Sequence, residues 1–81
     1  MTVRLAWVTY SHDAHVWRLR LDEDGTPQKM NELPGFSGDL SRPEDLEKIN
    51  LILATWGVYP SGGGWKARDG GWVVPVIRRE D

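Results

Sequence analysis

The sequence contains no cysteine and only two histidines among its 81 residues. The absence of cysteine excludes disulfides and thiolate metal sites, and it is typical of proteins from a reducing compartment. No apolar run approaches the roughly 20 residues that a membrane-spanning helix needs. Charged and polar residues also interrupt the first positions where a signal peptide would have its apolar block. We therefore expect a cytoplasmic protein that does not enter a membrane.

Catalytic and metal-binding motifs are also lacking. There is no Gly-x-Ser-x-Gly element, and the two histidines lie in His12-Asp13-Ala14-His15, where neighbouring loop residues seldom converge as tetrahedral ligands. Asp22-Glu23-Asp24 lacks the alternating acids and final glutamate of a calcium loop. Gly62-Gly63-Gly64 lacks the lysine and helix that complete a phosphate-binding loop. We expect a protein that is not an enzyme and that binds no metal ion or cofactor.

Basic residues do not outnumber acidic ones, and the net charge is −2. The charge is unevenly distributed: residues 22–47 contain eight acids and two bases, while the segments on either side are each basic. A nucleic-acid-binding domain usually has a strongly basic surface. The overall balance disfavours nucleic acid as a partner, although it leaves room for a local basic strip.

Tryptophan is abundant, with five copies. Asp69-Gly70-Gly71 is typical of a tight hairpin turn, and Trp65 and Trp72 flank it. Strand side chains alternate between faces, so both tryptophans are predicted on the same side of the sheet. We expect Trp17, Trp56 and one of the hairpin pair to lie in the core.

The N-terminal third predicts a hairpin of two strands, Val3–Tyr10 and His15–Leu21, joined by Ser11–Ala14. This register places Trp7 opposite Arg18. The better core face carries Ala6, Val8, Tyr10, Trp17, Leu19 and Leu21. The opposite face carries Val3, Leu5, Trp7, Thr9, Val16, Arg18 and Arg20.

The middle of the chain predicts a long connection followed by one helix. Residues 22–40 are rich in acids, glycine and proline, with at most a short edge strand near residues 28–31. Ser41 and Glu44 match a capping box, so we expect a helix from Arg42 to about Trp56 that ends at Gly57. Its apolar stripe consists of Leu46, Ile49, Ile52, Leu53 and Trp56, whereas Leu51 faces the other way.

The order of these elements predicts a single α+β domain over residues 1–81. We expect two layers, an antiparallel sheet of two hairpins in ββ-α-ββ order packed against one helix. The second hairpin spans residues 65–68 and 72–77, and residues 58–59 add a short strand. Pro75 lacks a backbone donor, which favours an edge position for the last strand or a donor site that faces solvent.

One helix covers one sheet face, so the second face is the candidate functional surface. Its apolar residues and flanking arginines predict a protein-interaction module, either a homodimer or an adaptor for a larger partner. The predicted partner-binding residues are Leu5, Trp7, Val16, Arg18, Arg20 and Leu51.

Two alternatives use the tryptophans differently. An open sheet bearing aromatic and basic side chains can bind nucleic acid by stacking bases and holding phosphates. The residues for such a contact are Trp65, Lys66, Arg68 and Trp72. A carbohydrate or another small ligand bound between Trp65 and Trp72 is the other alternative.

Overall fold

The computed structural model describes residues 2–79 and shows one antiparallel sheet with a single helix. The strand order is β3-β2-β1-β6-β4, and β5 also pairs with β6. The predicted α+β class, an antiparallel sheet packed against one helix, is confirmed. The elements are β1 (Arg4–Ser11), β2 (Val16–Glu23), β3 (Thr26–Leu33), α1 (Pro43–Thr55), β4 (Val58–Pro60), β5 (Lys66–Arg68) and β6 (Gly71–Arg78).

The first hairpin is displaced along the chain from its predicted position. Ser11 still pairs with Val16, so the loop consists of residues 12–15, and Trp7 lies opposite Arg20. The predicted loop is therefore wrong by one position, and the predicted pairing of Trp7 with Arg18 is wrong by two. A shift of two residues leaves every side chain on its original face, because strand side chains have a period of two. The predicted division between the two faces therefore holds.

The third strand is a full-length edge strand where only a short one was predicted. Asp24 and Gly25 both adopt positive φ, 51° and 82°, as a tight two-residue hairpin turn requires. β3 follows this turn and pairs with β2 along its length, with a bulge beyond Leu21. Every residue of β3 except Leu33 is exposed. The strand has no apolar alternation to detect, because neither of its faces is covered.

The helix begins without the predicted capping box. α1 has Arg42 at its N-cap, with no side-chain hydrogen bond to the first turn. Ser41 lies one residue too early, and its backbone N–H donates to Oδ1 of Asp39 over 2.9 Å. Gly57 follows the helix with φ 77°, as predicted for the left-handed stop. Within the described residues, no helix is long and apolar enough to cross a membrane.

The core lies between α1 and the face of the sheet that was predicted to be buried. It is built from aliphatic side chains, and Ile49 and Leu53 of the helix are completely buried in it. Burying such a side chain contributes roughly 1.5–3 kcal/mol. Tryptophans border this core instead of filling it. The predicted core members Trp17 and Trp56 pack against it but are only partly buried, and so do both Trp65 and Trp72, of which one was predicted in the core.

The last strand is central, so the edge position, one of the two alternatives that Pro75 favoured, is wrong. β6 pairs with β1 on one side and with both β5 and β4 on the other. Pro75 lies where β6 changes from one short partner to the next, and its carbonyl accepts the Ser61 N–H over 2.8 Å. The second hairpin turns at Asp69 and Gly70, with φ of 50° and 76°, as predicted.

Candidate functional site

The sheet face opposite α1 carries no helix among the described residues, and we call it the open face; Val73 and Asp22 on this face are nevertheless buried within the monomer. Strand pairing brings five of its residues into one row across the sheet, in the order Met30, Arg20, Trp7, Val73 and Lys66. The core residues alternate with these positions along the strands, so the row points away from the helix. Leu5 and Val16, also predicted for this surface, are partly buried on the same face.

Trp7 lies at the centre of the open face. It is partly buried, and the guanidinium carbon of Arg20 lies 5.7 Å from its ring centroid. Its indole N–H is buried without a hydrogen-bond acceptor among residues 2–79. A buried donor without a partner costs about 1–3 kcal/mol. Trp7 is therefore a large, partly buried residue of this surface whose indole N–H has no acceptor in the part of the chain that the structure describes.

The two arginines predicted to flank Trp7 are neutralised by carboxylates of the same chain. Nε and Nη2 of Arg20 donate to Asp22 over 2.8 and 3.1 Å. Nη2 of Arg18 lies 3.5 Å from Oε2 of Glu32. Partly exposed pairs of this kind contribute little stability, about 0–1 kcal/mol. They do reduce the positive charge that the middle of the face presents to a partner.

Exposed apolar side chains extend the open face beyond the predicted residues. Met30 is 52% exposed, and Ile77 and Tyr59, which pair across β6 and β4, are 42% and 43% exposed. Sequence reasoning assigned none of these three to the surface. Alternation from Val73 would have placed Ile77 there, whereas Met30 and Tyr59 lie on strands that were predicted only in outline.

The second predicted group of site residues is divided between the two faces of the sheet. Trp65 and Trp72 pack against the core on the helix side. Lys66 and Arg68 alternate with them and lie at the border of the open face. The four residues therefore do not form one surface. Leu51 is 63% exposed on the outer side of α1, so it is also separate from the open face.

Two clefts lie next to each other on the helix side of the sheet. The first, about 390 Å³, is lined by Trp17, Gly38, Trp72 and the turn at residues 67–71; we call it the Trp17 cleft. The second, about 360 Å³, is lined by Asp39, Leu40, Ser41, Leu46, Trp65 and Trp72; we call it the Trp65 cleft. Trp72 contributes to both clefts and therefore lies between them. The Trp65–Trp72 pair thus does line a cavity, as the small-ligand alternative requires.

Asp39 supplies the negative charge of the Trp65 cleft. Hydrogen bonds from the Ser41 side chain and backbone, with a smaller effect of the Arg42 charge, lower the pKa of Asp39 below its ordinary value of 3.8. Burial opposes this shift only weakly, because the carboxyl is fully exposed. A carboxyl group whose pKa lies below 3.8 is ionised throughout the neutral range. The cleft therefore combines two indole rings with a fixed negative charge.

The described histidines and acids do not assemble into a metal centre. Among residues 2–79, no three histidine, aspartate or glutamate side chains are placed to hold an ion together. His12 and His15 are both exposed in the first hairpin loop. The ring of His12 packs edge-on against Tyr10, with centroids 5.0 Å apart. This contact gives His12 a structural role in the hairpin loop.

Comparisons with known proteins assign no role to these surfaces. The chain matches no protein-family model, no curated protein and no solved structure.

Proposed function

We propose that this chain is a non-enzymatic protein-interaction module whose open face packs against the open face of a second copy. The observation that carries the proposal is the group of exposed apolar side chains on this face, which also carries the partly buried Trp7. A two-layer domain buries only one face of its sheet against its helix, and contiguous exposed apolar surface commonly marks a contact with another protein. The half-exposed Met30, Tyr59 and Ile77 belong to this surface.

The charges of the open face favour a second copy as the partner. The central arginines are already paired, so two copies can approach without repulsion between uncompensated guanidinium groups. At the β5 border, Lys66 and Arg68 have no ion-pair partner within the described residues, and Glu32 lies at the opposite border on β3. A two-fold axis parallel to the strands lays each basic border over the other copy's Glu32.

The same contacts argue against nucleic acid on this face. Phosphates would have to compete with Asp22 and Glu32 for the two central arginines. The ring of Trp7 already lies beside Arg20, which limits its use for stacking bases. The remaining basic residues, Lys66 and Arg68, are few beside the net charge of −2. Self-association therefore explains the paired arginines and exposed apolar residues of the open face better than nucleic-acid binding does.

The experiment compares two lysine substitutions at exposed apolar positions. Ile77→Lys introduces a charge on the open face, and Leu51→Lys introduces the same charge on the outer side of α1. Neither residue is buried, so both variants should fold. We expect sedimentation equilibrium to show a wild-type dimer, a monomeric Ile77→Lys protein and an unchanged Leu51→Lys dimer.

Two results would contradict the proposal. A wild-type protein that stays monomeric up to near-millimolar concentration has no self-association to explain. Dissociation by Leu51→Lys, with no effect of Ile77→Lys, would assign the interface to the helix side. Binding of a labelled single-stranded oligonucleotide, lost on combining Lys66→Ala with Arg68→Ala and weakened by salt, would instead support the nucleic-acid alternative.

A further inference from the structure

We propose that the Trp65 cleft binds an aliphatic ammonium group, and that a methylated ammonium fits it best. The cleft lies on the helix side of the sheet, so this site is separate from the open face and does not depend on its proposed role. The chemistry is shared by a methylated lysine side chain and by a free choline-like molecule. The experiment below distinguishes these two sources.

The size and lining of the cleft suit a compact apolar cation. Its volume of about 360 Å³ lies within the roughly 300–1,000 Å³ of typical small-molecule sites. Four of its six lining residues are apolar, namely Leu40, Leu46, Trp65 and Trp72. Indole faces attract cations through their quadrupole, and methylated ammonium groups are the usual ligands of aromatic cages because they also need apolar contact.

The charge of the surroundings has the sign that a cation needs. Asp39 is the one charged residue in the lining, and no basic side chain contributes to it. Two bases adjoin lining residues along the chain: Arg42 forms ion pairs with Glu44 and Asp45 at 3.4 and 3.7 Å, and Lys66 lies on the opposite face of the sheet. Carboxylates outnumber bases around this end of the helix, so an anion would be repelled from the cleft.

The hydrogen-bonding groups of the cleft disfavour a carbohydrate. Its two polar side chains already interact with each other, since Asp39 accepts from the Ser41 backbone at 2.9 Å and from its side chain. The indole N–H of Trp72 already donates to the Gly38 carbonyl oxygen over 2.9 Å. A sugar ring would leave most of its hydroxyls without a partner here, and burying them unpaired is costly. An ammonium with methyl groups has few or no donors to satisfy.

The decisive probe is a pair of ligands with the same shape but different charge. In 3,3-dimethylbutanol, the neutral isostere of choline, a carbon atom replaces the quaternary nitrogen. Each is titrated into isotopically labelled protein, and the indole N–H signals are followed by NMR. We expect choline to shift the signals of Trp65 and Trp72 and the isostere to bind at least about fivefold more weakly.

Variants then test the residues assigned to the site. Trp65→Leu retains apolar packing but removes the ring, and should abolish the choline shifts while preserving the fold. Asp39→Asn removes an exposed charge and should weaken binding about fivefold. Tyr59→Ala removes an exposed aromatic from the open face and should leave binding unchanged.

The source of the group follows from comparing choline with a trimethyllysine peptide. If the trimethyllysine peptide binds more tightly than choline and more tightly than the same peptide without methyl groups, the ligand is a modified protein tail. If choline and the peptide bind equally, the ligand is the free small molecule. Equal binding of choline and dimethylbutanol would overturn the proposal, because the cleft would then recognise only apolar shape. Absence of any indole shift up to high millimolar choline would overturn it as well.

Discussion

The indole N–H of Trp72 donates to the carbonyl oxygen of Gly38, 34 positions earlier in the chain, over 2.9 Å. This bond ties β6 to the loop that precedes α1. Gly38 adopts φ 84°, and a Cβ at this position would overlap the ring of Trp17. The loop is therefore held between two tryptophans, one through its carbonyl and one through close contact. Asp39 follows immediately, so the same clamp positions the charge of the Trp65 cleft.

The clamp predicts an unusually costly Gly38→Ala substitution. Both the left-handed backbone and the Trp17 ring oppose an added methyl group there. Gly25 is the matched control, because it has nearly the same φ, 82°, with nothing within 4 Å of an added Cβ. We expect Gly25→Ala to cost about 1–2 kcal/mol from backbone strain alone. Gly38→Ala should cost about 1–3 kcal/mol more, which is the usual cost of overpacking. Urea unfolding of the two variants measures this difference. Equal costs would mean that the loop moves away from Trp17 freely.

Two tryptophan-to-phenylalanine substitutions test the polar contacts of the two faces. Trp72→Phe removes the donor to Gly38, whereas Trp7→Phe removes an N–H that has no acceptor within the described residues. Both lose a similar amount of apolar surface. We therefore expect Trp72→Phe to lower the free energy of unfolding by about 0.5–1.5 kcal/mol more than Trp7→Phe.

The two stabilities are measured by urea unfolding at protein concentrations where the monomer dominates. An equal loss in both variants would show that the bond from Trp72 to Gly38 contributes nothing net.

The local parts of the fold were predictable because they depend on neighbouring residues. Asp69-Gly70 specified its turn through the positive φ that both residues adopt, and Gly57 ended the helix for the same reason. The faces of the first hairpin also followed from alternation, although its register was wrong by two residues. Continued pairing from Ser11 to Val16 decided that register, and no local signal distinguishes the two loops.

The clefts were not predictable, because they depend on contacts between distant segments. Trp65 and Trp72 could be placed on one face, but the cavity exists only because residues 38–41 cross beside them. The division of Trp65 from Lys66 did follow from strand alternation, yet the predicted ligand site combined them. A site proposed from neighbouring strand residues must first assign each to a face.

Ser41→Ala tests the corrected role of Ser41. Its hydrogen bonds hold the pKa of Asp39 below 3.8, so the variant should raise that pKa toward 3.8. A lowered native pKa stabilises the fold above the unfolded-state pKa, and this contribution disappears as the pH falls through the native value. The Ser41 contribution should therefore be present at neutral pH and absent in strong acid.

The measurement is an NMR pH titration of the Asp39 carboxyl carbon in the wild type and the variant. Helix content by circular dichroism at neutral pH should hardly change, since Arg42 and not Ser41 is the N-cap. A clear drop in helix content would instead return Ser41 to a capping role.

The last prediction concerns the geometry proposed for the dimer. A two-fold axis parallel to the strands places Arg68 of each copy near Glu32 of the other, because Lys66 is level with Met30 and Arg68 lies one open-face row further along, level with Glu32. Arg68→Glu or Glu32→Lys alone should weaken association, because each creates a contact between like charges. Two-fold symmetry repeats that contact, so we expect a total loss of about 0.5–2 kcal/mol. Combining both substitutions restores opposite charges and should recover most of the wild-type affinity, as measured by sedimentation equilibrium.

Lys29→Glu is the matched control, because Lys29 pairs with Leu21 and so lies on the helix side of β3. Additive weakening in the double variant would exclude this axis, even if the open face remains the interface.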